Sequence, residues 1–140
     1  MSYMGSIALQ GAVYAQLCTD PAVTALIGDA VYDAMPVTPP AGTYVSLGPE
    51  VVRPAGDQTG AGAEHEFVVS VLSGSDEDNG GFQAVKSAAA AVAASLEAGD
   101  LPLDEGHLAG LWFLRATARR AESGAGRRVD LTFRARVDLG

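Results

Sequence analysis

From Val129 to Asp138 apolar and polar residues alternate without a break, Val129, Leu131, Phe133, Ala135 and Val137 against Asp130, Thr132, Arg134, Arg136 and Asp138. Successive side chains of a strand point to opposite faces, so this run specifies a half-buried strand with a charged outer face. It also obliges the rest of the chain to supply a sheet and a layer that covers the apolar side. His107 to Ala118 reads as a second strand, apolar on both sides, because Ala109, Leu111 and Phe113 alternate with Leu108, Trp112 and Leu114. That pattern predicts a central strand covered on both faces, with Leu111, Trp112 and Phe113 kept in the packing of the subunit itself. Residues 121–126 form the flexible tip of the hairpin joining the two, flanked by Arg119-Arg120 and Arg127-Arg128.

The covering layer is found upstream. Phe82, Val85, Ala89, Val92 and Leu96 make one stripe of a helix ending near Gly99, and the alanines around it let that helix lie close to the sheet. Gly5 to Cys18 is helical through Leu9, Val13 and Leu17. Asp20 caps and Pro21 opens a shorter helix with Val23, Leu26 and Ile27 on its apolar face, and Gly28 stops it. Ala30 to Asp33, Thr43 to Leu47 (extending towards Val52) and Glu64 to Ser73 read as strands, the last with two partly apolar faces. Pro36, Pro39 and Pro40 make a rigid connection. Residues 53–63 hold three glycines and no apolar period, which predicts a long mobile loop. The order α-α-β-β-β-α-β-β argues for a single α+β domain spanning 1–140, two N-terminal helices and one long Ala-rich helix packed on an antiparallel or mixed sheet of four to five strands.

Composition narrows the function. The 140 residues are 48% hydrophobic and 19% charged, and the longest apolar run, Ala88 to Ala94, is seven residues, too short for a transmembrane helix. Met1-Ser2-Tyr3-Met4 has no basic segment leading into an apolar one, so no signal peptide is expected. A net charge of −8 disfavours a general nucleic-acid or membrane-surface binder. The charge is unevenly spread. Residues 1–114 hold Arg53 and Lys86 against 14 acids, net −12, whereas residues 115–140 hold seven arginines against three acids, net +4.

No catalytic constellation is visible. Cys18 stands alone without a basic neighbour, so no disulfide, Cys/His zinc site or activated thiol follows from it. His65 and His107 open strands with no nucleophile pattern nearby and read as ordinary structural or surface residues. Asp76-x-Asp78-x-Gly80-Gly81 resembles the start of a calcium loop, but the closing position is Ser87 and not Glu, and acids ahead of a helix stabilise its positive end without a metal. The glycine pairs 60/62 and 124/126 make neither a dinucleotide fingerprint nor a P-loop. Catalysis, cofactor and metal are therefore not expected. The arginine group at 115, 119, 120, 127, 128, 134 and 136 has no interleaved aromatic, which favours a protein-contacting patch over a nucleic-acid surface.

The run Ile7-Ala-Leu-Gln-Gly-Ala-Val-Tyr-Ala-Gln-Leu, the stretch from Asp20 to Pro36 and Tyr44-Val-Ser-Leu-Gly resemble the tail-terminator (tail-completion) family of tailed phages and gene transfer agents. Gly62-Ala-Glu-His-Glu-Phe, the helix from Phe82 to Leu96 and the arginine-flanked final hairpin continue the resemblance over nearly the whole chain. It implies a small α+β subunit of a hexameric ring, without cofactor or metal. Such a ring closes the tail tube and joins it to the head-side connector while DNA transits the lumen without specific binding. It implies cytoplasmic assembly followed by residence in the neck or tail of a particle. Alternatives are another neck or tail protein, such as a stopper or tube subunit, and a small ligand-binding domain or enzyme, which a pocket with convergent polar groups would favour. On the ring reading, Arg53, Asp57 and Gln58 of the loop and Arg119, Arg120, Arg127 and Arg128 of the hairpin are expected to contact a neighbouring subunit or ring.

Overall fold

A computed structural model describes residues 3–55, 62–75, 82–98, 101–120 and 126–139. Helix α1 (Met4–Thr19) turns Leu9, Val13 and Leu17 inward. Asp20 ends α1 and caps α2 (Pro21–Ile27), its carboxylate accepting the Ala22 amide at 2.9 Å, and Gly28 at φ 64° closes that helix in a conformation open chiefly to glycine. Strands β1 (Val31–Tyr32), β2 (Tyr44–Pro54) and β3 (Ala63–Leu72) follow, then α3 (Gln83–Ala98), β4 (His107–Arg120) and β5 (Arg127–Asp138). This is the order expected from the alternation and helical periods, and the fold is α+β.

The five strands form one open, mixed sheet in the order β1-β2-β3-β5-β4. β1 runs parallel to β2, and the other neighbours are antiparallel. Chain connection and sheet position part company at β5, which returns from the β4 hairpin and inserts between β3 and β4. The strand with the charged outer face is therefore internal. The strand with apolar residues on both sides, β4, lies at the sheet edge, contrary to the central position its pattern predicts. Trp112 is 50% exposed, so it does not stay inside subunit packing; Phe113, 37% exposed, keeps its contact with Phe133, and Leu108 and Leu111 pack partly on the core. An apolar alternation reports protection from water and not which chain provides it.

The helices cover one sheet face. Val85, Ala88, Ala89, Val92 and Leu96 of α3 meet the inward residues Phe67, Val69 and Val71 of β3 and Val129, Leu131, Phe133 and Ala135 of β5. Phe133 stacks on Phe67 with centroids 5.5 Å apart and meets the tilted ring of Phe113 at the same distance. Gln16 of α1 donates to Ser95 Oγ of α3 at 3.1 Å, tying two helices together beside this core.

Two boundaries differ from the expected loop at 53–63. β2 runs through Arg53 and Pro54, and β3 begins at Ala63. Pro54 is tolerated because β1 pairs only with Val45 and Ser46, leaving the outer side of β2 unpaired at its end, where a missing amide hydrogen costs no ladder bond. Residues 56–61, most of the hairpin tip, and the acidic turn at 76–81 lie outside the described residues.

Candidate interaction surface

The second face of the sheet is charged. Directly paired residues share a face, so the register places Arg53, Glu64 and Arg136 in one row, Glu66, Arg134 and Trp112 in the next, then Thr132 with Arg115, Ser70 with Asp130 and Thr117, and Arg128 with Arg119. Six of the chain's nine basic residues therefore lie on this face, interleaved with Glu64, Glu66, Asp130 and Asp138. Each of the six has a carboxylate near it. Glu64 lies 3.4 Å from Arg53 Nε and 3.6 Å from Arg134 Nε, Glu66 lies 3.9 Å from Arg115, and Asp138 takes Arg136 Nε at 3.2 Å.

Asp130 is the best-defined member. Its carboxylate accepts from Ser70 Oγ at 2.7 Å, Arg128 Nε at 2.8 Å and Arg119 Nε at 3.3 Å. Burial alone raises the pKa of such a carboxyl, but the Ser70 hydroxyl and the two guanidinium groups outweigh it and hold Asp130 below its ordinary value.

The residues expected at a contact from sequence divide among three places. Arg119 and Arg128 converge on Asp130 inside the subunit. Arg120 and Arg127 pair across the hairpin; Arg120 is exposed, and the Arg127 guanidinium lies 5.4 Å from the centroid of Phe82. Arg53 sits at the opposite end of the face, against Glu64. Asp57 and Gln58 lie outside the described residues. What the sequence reading missed is the middle of the face, where Glu64, Trp112, Phe113, Leu114, Arg134 and Arg136 line a shallow hollow of about 420 Å³. Its signal was present in the apolar residues on both sides of β4, which a single covered face does not use up.

On the helical side, Tyr3, Ser6 and Glu50 line a cleft of about 280 Å³, and the buried His65 reaches Glu50 from within the subunit. Ser6 Oγ and Tyr3 Oη donate to Glu50 Oε1 at 2.7 and 3.1 Å, and His65 Nδ1 lies 3.2 Å from Oε2. The order differs from that of a hydrolytic triad, in which the imidazole stands between hydroxyl and carboxylate. Here the hydroxyl donates to the carboxylate. The His65 ring is fully buried, with Nε2 beside Gly5 and making no hydrogen bond among the described residues. The arrangement fixes the start of α1 to the sheet, with Glu50 directly after the irregularity in the β2–β3 register. No group of three or more metal-ligating side chains and no helix long and apolar enough to cross a membrane occurs among the described residues.

An open-faced α+β sheet whose uncovered side mixes arginines, carboxylates and an exposed tryptophan has the residue composition of a protein-contact surface. The comparisons agree in kind. The model of the family described as "Tail completion protein gp17" matches residues 11–138, and the chain belongs to that family. A chain in the solved structure of the virion of a native gene transfer agent (GTA) particle is 58% identical, with a TM-score of 0.87 over 98% of this chain and 99% of that chain. Curated proteins give no match. The chain is thus a structural tail protein, as the resemblance of its sequence implied.

Proposed function

We propose that this subunit completes the tail of a phage-like or gene-transfer-agent particle, forming a ring that closes the tail tube and joins it to the head-side connector, with DNA passing through the lumen. The observation that carries the reading is the likeness to a chain of a native GTA virion along almost the full length of both chains, together with membership of a tail-completion family. On this reading the subunit is a single domain without catalysis, assembled in the cytoplasm, and its partners are further copies of itself, the tube protein and the connector protein. Arg53, Asp57 and Gln58, together with Arg119, Arg120, Arg127 and Arg128, take part in contacts with neighbouring subunits or rings. Arg53 stands at one end of the uncovered face and Arg119 with Arg128 at the other, which suits a subunit that touches more than one neighbour.

The test is particle assembly with the subunit removed. Electron microscopy is expected to show filled heads and separate tails, and addition of purified protein to the extract is expected to restore joined particles. Joined particles with tails of normal length in its absence would overturn the reading.

A further inference from the structure

We propose that the chain associates head to tail with a second copy of itself, the exposed side of α1 at Ile7, Gly11 and Tyr14, with Asp33 beside it, seating on the hollow around Trp112, Arg134 and Arg136. The proposal rests on the ring reading for the closure of such contacts into a ring, but the contact itself is argued from the two surfaces.

Trp112 lies on the uncovered sheet face at 50% exposure. A Cβ on Gly110 would collide with its indole ring, so the ring lies back over Gly110, two residues along the same face. The glycine thus provides the space that lets a large aromatic lie along the strand with half its surface in water. Arg134 stands opposite Trp112 in the register and Arg136 opposite Gly110; their side chains are 40% and 35% exposed. Arg134 Nε makes no hydrogen bond among the described residues, its acid neighbour Glu64 being 3.6 Å away. An aromatic anchor flanked by arginines is the residue set over-represented at binding hot spots. Its complement is an apolar surface bearing carboxylate.

The same subunit carries that complement in its other layer. Ile7 is 78% and Tyr14 42% exposed, about two turns apart on α1, and nothing stands within 4 Å of a Cβ built on Gly11 between them. These residues, Gln10 and Asp33 border a groove of about 360 Å³. α1 packs on the covered side of the sheet and Trp112 projects from the uncovered side, so one subunit cannot bring its own two surfaces together. Different surfaces meeting in this way make a heterologous contact, which closes into a ring when the rotation per subunit allows. Apolar groups align with apolar groups, and Asp33 meets guanidinium donors.

A nucleic acid suits the sheet face less well. Glu64 and Glu66 stand among the arginines that phosphates would need, and four carboxylates share the face with six guanidinium groups.

Trp112 is the only tryptophan, so its fluorescence reads the hollow directly. Emission is expected to shift to the blue as protein concentration rises, in step with the mass measured by sedimentation. Trp112→Ala and Ile7→Asp, both at exposed positions, are each expected to weaken association at least about 30-fold, as for loss of a hot-spot anchor. Mixing the two variants leaves one intact surface on each and is expected to give a heterodimer that neither forms alone. Arg134→Glu combined in a mixture with Asp33→Arg supplies a second pair should either first variant fold poorly.

Wild-type protein that stays monomeric at its highest soluble concentration overturns the proposal, as do variants that assemble like the parent or mixtures that fail to pair. So does quenching of Trp112 by duplex or single-stranded DNA at physiological salt. All of these outcomes leave the rescue of joined particles free to succeed, so failure of this contact and failure of the tail-completion reading are separable.

Discussion

At Asp130 a single carboxylate organises one end of the uncovered face. It joins β3 through Ser70, β5 through Arg128 and β4 through Arg119, and its side chain is only 18% exposed. Hydrogen bonds to charged groups are stronger than neutral ones, but the two arginines keep access to water, which discounts them. Asp130→Asn preserves shape and removes the charge, and is expected to cost about 1 kcal/mol at neutral pH. A carboxyl held below its unfolded value of about 3.9 contributes stability above that value and loses it as pH falls through the lower folded pKa. Urea midpoints of parent and variant should therefore differ at pH 7 and converge in the acid range. A gap that persists unchanged into strong acid would show that packing, and not charge, sets the effect.

The Ala-rich helix makes the corresponding argument for an element. Ala88 and Ala89 are 2% and 5% exposed against the sheet, whereas Ala90 faces water. Ala88→Leu forces extra methylenes into a close contact and is expected to cost about 1–3 kcal/mol, while Ala90→Leu stays within about 0.5 kcal/mol. Denaturant midpoints at unchanged m would measure both, and equal effects would mean that α3 does not lie as close to the sheet as described. The periodicity that located this helix also located α1 and β5, and the Asp20-Pro21 start and Gly28 stop fixed α2, because these signals are local to the chain. Sheet order was not legible. β5 enters between β3 and β4 through contacts separated by tens of residues, such as Ser70 with Asp130, and no spacing in the sequence records that choice. The candidate surface was half legible for the same reason. The C-terminal arginines stand out by count, but their sorting onto one face and their pairing with Glu64, Glu66 and Asp130 required the register. The exposed position of Trp112 appeared only as apolar residues in excess of what one covered face uses. The burial of His65 beside Glu50 likewise joins residues 15 apart across β2 and β3, with no local motif to announce it.

For the molecule as a whole, the charges are unevenly spread. The uncovered sheet face carries six arginines against four acids, yet the chain totals −8, so the residues away from that face carry the negative balance. In the proposed ring, a lumen through which DNA moves is favoured by a lining that offers phosphates no fixed partners. The head-to-tail contact would satisfy this by turning the arginine-bearing face towards a neighbouring subunit. Binding of duplex DNA through all six arginines would release counterions and give log K a slope of about −5 against log salt. The expected outcome is instead no measurable association of the assembled protein with duplex DNA by fluorescence anisotropy near 0.15 M salt, and only weak association at low salt. Ionic strength would then act mainly on assembly, since the Asp33 contact and the rim pairs are exposed and screened over about 8 Å at physiological salt. Tight DNA binding with the steep slope of six neutralised phosphates would place the arginines on the lumen and would require the subunit to be turned the other way round in the ring.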